Sequence, residues 1–129
     1  KIKNPRNRND KLGVKAEHRV SLVGPVEPAF RDELRARVAE LCEGKAAKAS
    51  DLVFFAVEAP DELARLGTLK GALKPNGALW ILRKKGASAT VSESAVLGAA
   101  RAAGLVDVKV VAFSPSHTAE KLVIPADDR

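Results

Sequence analysis

Leu73-Lys74-Pro75-Asn76-Gly77-Ala78-Leu79-Trp80-Ile81-Leu82 is the stretch whose reading decides the fold. Pro75, Asn76 and Gly77 are turn formers: proline presets φ, and asparagine and glycine accept left-handed backbone. Gly77 to Leu82 then runs apolar without interruption. A strand with one wet face alternates, whereas a strand covered on both faces does not, as in a parallel sheet between helices. The stretch therefore predicts a helix turning into a buried strand, with Trp80 in the core.

Working upstream, Leu52 to Val57 is a second unbroken apolar run and reads as another buried strand. Pro60, Asp61 and Glu62 open the helix between the two. Proline loses nothing in a first helical turn, and the acids suit the positive end of the helix dipole. Leu63, Leu66, Leu69 and Leu73 form its apolar stripe. Earlier still, His18 to Gly24 reads as a short strand that reverses at Gly24-Pro25. Phe30, Leu34, Val38 and Leu41 recur at helical spacing, with Pro28 at the start and Gly44 placed as the stop. Residues 45–50 read as irregular helix or a short edge strand.

Downstream, Thr90 and Glu93 have capping-box spacing ahead of a helix over 91–103. Gly104 is its C-terminal cap, followed by Leu105. Val106 to Phe113 is β-rich, with Val106, Val108 and Val110 set on one face. Ser114 to His117 connects it to a last strand at Lys121 to Ile124. Those two runs lie too close in sequence for a helical crossover, so they pair antiparallel. The order predicts a three-layer α/β/α sandwich with a mostly parallel sheet and an antiparallel C-terminal pair.

The chain has 129 residues, one cysteine (Cys42) and a net charge of +6. One domain over 13–125 is expected, with a basic tail at 1–12 and a short tail at 126–129. Such a length needs no disulfide, and a lone cysteine fits a reducing, cytoplasmic setting. No run is long enough for a membrane span, so no membrane contact is expected. Lys1, Lys3, Arg6, Arg8 and Lys11 make the tail basic. Phosphate-backbone binding would be its functional use, but it lacks the aromatic residues on which bases stack.

From Asp51 to Pro125 the chain resembles the C-terminal half of the S-adenosylmethionine-dependent methyltransferase fold. That fold passes through Leu-Lys-Pro-Gly-Gly into its fifth strand, where this chain has Leu73-Lys-Pro-Asn-Gly77. Ala102-Ala-Gly-Leu-Val-Asp-Val-Lys109 likewise matches the family's passage from a late helix into a strand. More closely, the chain is similar to a small bacterial family of unknown function that carries a reduced version of the fold.

The cofactor-binding half departs from that pattern. The resemblance implies a Gly-rich loop after the first strand, and here Gly24-Pro25-Val26-Glu27-Pro28 keeps one glycine and gains two prolines. Each proline removes an N–H and stiffens the loop. A ribose-binding acid should follow the second strand, but Glu40 and Glu43 fall within the helical pattern. Where many N-methyltransferases carry Asn/Asp-Pro-Pro-aromatic, this chain has Glu58-Ala-Pro-Asp61. One strand–helix unit is missing or shrunken.

These departures lead to a non-catalytic domain on a trimmed methyltransferase-like fold, binding a small ligand or a protein, with no cofactor. The alternative is an S-adenosylmethionine-dependent methyltransferase with an atypical loop, its cofactor-binding residues being Gly24, Pro25 and Glu58. A second alternative is weak nucleic-acid binding through the tail and Arg83-Lys84-Lys85. A homodimer and a weak contact with an acidic partner or nucleic acid are the partners expected. No catalytic residue and no metal site is expected. Ser114, Ser116 and His117 have turn composition rather than triad geometry, and Glu58, Asp61 and Glu62 suit helix capping better than base catalysis.

Overall fold

Six strands form one sheet: β1 (Arg19–Val23), β2 (Glu40–Glu43), β3 (Ser50–Ala56), β4 (Leu73–Lys84), β5 (Val106–Ala112) and β6 (His117–Val123). Their order is β2-β1-β3-β4-β6-β5. The first four run parallel, and β6 is antiparallel to both β4 and β5. The helices are α1 (Pro28–Arg37), α2 (Leu66–Lys70) and α3 (Glu93–Ala102), with a 3-10 turn over Pro60–Arg65 running into α2. The structure is a computed structural model and describes residues 11–86 and 89–128. It is the α/β sandwich that the sequence predicts.

Two apolar clusters sit on the two faces of the sheet. On one face Val53, Phe55, Leu79 and Ile81 pack under Leu63, Leu66 and Leu69, and under Val96 and Ala100 of α3. On the other, Val20, Leu22, Phe54 and Trp80 pack under Phe30 and Leu34 of α1, together with Leu12 and Val14. Alternate residues of β3 and β4 thus serve opposite layers, which is why both strands are apolar throughout. Leu12 and Val14 are each only 1% exposed. Residues 1–10 of the expected basic tail lie outside the described residues.

Several local expectations are corrected. The helix after Pro28 stops at Arg37, Val38 is extended, and Glu40–Glu43 form β2 beside β1. Val38 and Leu41 still pack against the Phe30 cluster. Four apolar positions satisfied a helical spacing, while Val38 falls in the link after the helix and Leu41 in β2. Gly44, with φ +92, therefore ends a strand rather than a helix, and its N–H bonds the Leu22 carbonyl at 2.8 Å. The helix before β4 is mostly 3-10, and Leu73 is already strand. The cap of α3 is Ser92, whose Oγ accepts the Ala95 N–H at 3.0 Å. Thr90 instead donates to the Glu58 carbonyl at 2.6 Å. In β5 a register shift falls between Asp107 and Lys109. Val106 pairs with Val123, and Val110 with Glu120, so the shift puts these two valines on opposite faces rather than one.

Pro75-Asn76-Gly77 is a bulge within β4 rather than a turn ahead of it. Leu73 pairs with Ser50 and Ala78 with Leu52, so residues 74–77 face Asp51 alone. A Cβ on Gly77 would stand 2.9 Å from the Asp51 carbonyl, 3.0 Å from that of Ser50 and 3.1 Å from that of Lys74. All three atoms are backbone and cannot swing aside. We expect Gly77→Ala to cost about 1–3 kcal/mol through this overpacking, measured by urea unfolding. A loss below about 0.5 kcal/mol would place the change among ordinary surface substitutions and refute the tight bulge.

No helix connects β2 to β3: residues 44–49 pass between them, with Ala49 at φ +60. Ser21 and Ser50, both fully buried, supply the partners that this link lacks. The Ala47 N–H donates to Ser21 Oγ at 2.9 Å, Ser50 Oγ donates to the Ala47 carbonyl, and the two hydroxyls are 2.8 Å apart. With its proton on Ala47, Ser50 accepts from Ser21 and the ring closes. The shrunken strand–helix unit is therefore the crossover after β2.

Candidate functional site

Open α/β sheets take ligands beyond the carboxyl ends of their parallel strands. Here that edge is built from Gly24 and Pro25 after β1, Glu43 at the end of β2, Ala56 to Glu58 at the end of β3 and Lys84 at the end of β4. Gly24 has φ +86, and a Cβ there would lie 2.5 Å from the Ala56 carbonyl oxygen. Glycine is required here because β1 and β3 close against each other. Pro25, Glu27, Ala56, Leu82, Phe113 and His117 enclose a cavity of about 60 Å³. A water takes roughly 30 Å³ and small-molecule sites run to roughly 300–1,000 Å³, so this space suits water rather than an adenosyl group.

Of the three residues assigned to cofactor binding, only Pro25 lines that cavity. The Glu58 side chain is exposed, while its N–H and carbonyl are engaged by Glu62 and Thr90. Glu62 is the N-terminal cap that its position predicts: Oε1 accepts the N–H groups of Glu58 at 2.6 Å and Ala59 at 2.8 Å. Those two donors hold its carboxyl below the usual glutamate range.

Sequence reasoning missed Glu43, which it placed in a helix. It ends β2, at the position where the methyltransferase pattern calls for a ribose-binding acid. Its carboxylate is already claimed by α1: Arg35 donates to Oε2, and Arg31 Nε lies 4.0 Å from Oε1. The only available signal was Gly44 directly after Leu41-Cys42-Glu43, since four residues are too few for a period-two test.

Arg83, read as part of a basic loop, turns inward. Its Nε bonds Glu120 Oε1 at 2.6 Å. Lys84 and Lys85 remain exposed. Ser114, Pro115 and Ser116 form the tip of the β5–β6 hairpin, where Ser116 Oγ lies 2.7 Å from His117 Nδ1. The Ser114 hydroxyl lies 3.3 Å from Ser116 Oγ, so the hairpin tip strings two hydroxyls and the imidazole together. Among the described residues no three His, Cys, Asp or Glu side chains could hold a metal ion. No helix among them is long and apolar enough to cross a membrane.

This architecture is a trimmed, methyltransferase-like fold. The backbone is similar to the TehB-like SAM-dependent methyltransferase of Corynebacterium glutamicum, with TM-score 0.59 and 12% identity over 92% of this chain and 86% of that one. It is similar to a Thermotoga maritima SAM-dependent O-methyltransferase at TM-score 0.68 and 11% identity, covering 92% of this chain and 63% of that one. Aeropyrum pernix fibrillarin, solved with natively bound S-adenosyl-L-methionine, gives TM-score 0.55 and 14% identity over 84% and 67%. Identities this low establish the fold alone. By sequence, the chain belongs to the family described as protein of unknown function, DUF3052, whose model matches residues 10–126. No curated protein matches the chain.

Proposed function

We propose that this chain is a non-catalytic domain on a trimmed methyltransferase-like fold, acting by binding a small ligand or a protein rather than by methyl transfer. The observation that carries this is the contact between Gly24 and the Ala56 carbonyl, which leaves about 60 Å³ at the corner where a nucleoside would sit. Pro25 offers no N–H to a ligand. Glu58, the third residue assigned to the cofactor, turns its backbone rather than its carboxylate to its neighbours. A cytoplasmic setting and a homodimeric state belong to the same reading.

One observation favours methyl transfer as the second reading: Glu43 stands at the end of β2, where ribose hydroxyls would be bound. Arg35 is an exposed partner, and such pairs contribute only about 0–1 kcal/mol, so a ribose could displace it. Calorimetric titration with S-adenosylmethionine separates the two. We expect no saturable heat at ~1 mM ligand, where even a millimolar Kd would show. Micromolar binding that Glu43→Ala abolishes would overturn the proposal in favour of the enzyme.

A further inference from the structure

At the opposite end of the sheet, beyond the start of β3, lies a larger cavity of about 400 Å³. Its apolar side is Leu52, Ala78 and Val123, and its polar side is Lys15, His18, Asn76 and Lys121. Asp51 is the one carboxylate in the lining, and both its oxygens are engaged. Oδ2 accepts the Arg19 N–H at 2.8 Å, and Lys74 Nζ stands 3.1 Å from Oδ1. Lys74 thus cancels its charge, and the field left in the cavity is that of Lys15 and Lys121.

Lys121 has the face of the Trp80 ring as a partner but no balancing anion among the described residues. It pairs directly across the strands with Lys109, and like charges so placed repel. Among the described residues no carboxylate pairs with it, and its Nζ lies 6.0 Å from the centre of the Trp80 ring. Burial, and then the Lys109 charge, holds its ammonium below the usual lysine range. His18 accepts the Lys15 N–H on Nδ1 at 3.1 Å. With Nδ1 accepting, Nε2 is the ring nitrogen left to donate.

We propose that this cavity binds a small phosphate monoester with an apolar body, the phosphate seated against Lys121 and Lys15 and the body on Leu52, Ala78 and Val123. The volume lies in the range of small-molecule sites, which pair a mostly apolar lining with a few placed polar groups. An anion would offset both the burial of Lys121 and its repulsion from Lys109. The site stands whether or not the Gly24 corner takes a cofactor.

Trp80 is the sole tryptophan, so its fluorescence reports on Lys121 directly. The whole chain would be titrated with phenyl phosphate and with inorganic phosphate at ~150 mM salt, where long-range attraction to a basic protein is screened. Amide shifts of His18 and Ala78 give an independent readout. Phenyl phosphate should saturate both signals and bind about tenfold more tightly than inorganic phosphate, since only the ring gains apolar burial. Lys121→Gln should weaken it by about tenfold or more, the worth of a hydrogen bond to a charged group. Lys85→Gln, at the other end of the sheet, should leave it within about twofold. No saturation at ~20 mM, well above a millimolar Kd, would overturn the proposal. Equal weakening by both variants would do so too, because it would show only the attraction of net charge.

Discussion

Replacing Glu120 by alanine should lower the free energy of unfolding by about 3–5 kcal/mol, the usual cost of breaking a buried ion pair from one side. Glu120 is 1% exposed, and the Arg83 side chain 13%. Arg83 Nε bonds Glu120 Oε1 at 2.6 Å, and its Nη1 reaches the Val91 carbonyl at 3.3 Å. Removing the carboxylate leaves a guanidinium, which cannot shed its charge, in a site with little water. The loss measures that stranded charge rather than the net worth of the pair. The double variant Arg83→Met with Glu120→Leu should accordingly recover to within about 1 kcal/mol of the parent, since apolar replacement of a buried pair is often neutral. Urea unfolding followed by Trp80 fluorescence gives both values. A single-variant loss under about 1 kcal/mol would mean that water reaches the pair. A double variant no better than the single would mean that Arg83 works mainly through Val91.

This pair marks the limit of what the sequence shows. Arg83 stands in a run with Lys84, Lys85 and Gly86 that reads as a solvated basic loop. Only the register placing Ile81 opposite Glu120 and Arg83 opposite Thr118 brings a carboxylate within its reach. Strands β3 and β4 were legible because burial on both faces writes itself into the chain as unbroken apolar runs. The C-terminal hairpin was legible because its connection is too short for a crossover. β2 was not, because Val38 and Leu41 are apolar for the same cluster whether helix or strand presents them. Losing β2 hid Glu43, the acid that ends that strand. The loss of two N–H groups around Gly24 was readable from Pro25 and Pro28, since a missing N–H is a property of the residue itself. The closure of that corner was not, because it depends on how nearly the ends of β1 and β3 approach.

Phe30→Ala tests that closure and should cost about 3–5 kcal/mol, as truncation of a buried phenylalanine usually does. Phe30 is fully buried and holds α1 to the sheet. Its ring meets Phe54 edge-on at 5.1 Å and 81°, and Phe113 at 4.7 Å and 80°. Edge-to-face pairs add about 0.5–1.5 kcal/mol each beyond area burial, which places the expected loss toward the upper end. Phe113 also lines the small cavity beside Pro25, so deleting the Phe30 ring enlarges the void next to the supposed cofactor corner. The space the ring itself vacates is walled by Phe54, Phe113 and the apolar cluster around them, and an apolar engineered cavity stays dry and takes ligands such as benzene. Benzene should therefore raise the Tm of Phe30→Ala and leave the parent unchanged. S-adenosylmethionine should stabilise neither, because the added space brings no hydrogen-bond donor to the loop after Gly24. Stabilisation of the variant by S-adenosylmethionine would show that bulk alone keeps the cofactor out and that the loop is still competent. A loss below about 1 kcal/mol would instead show that α1 collapses onto the sheet without its ring, and the corner would then be soft rather than filled.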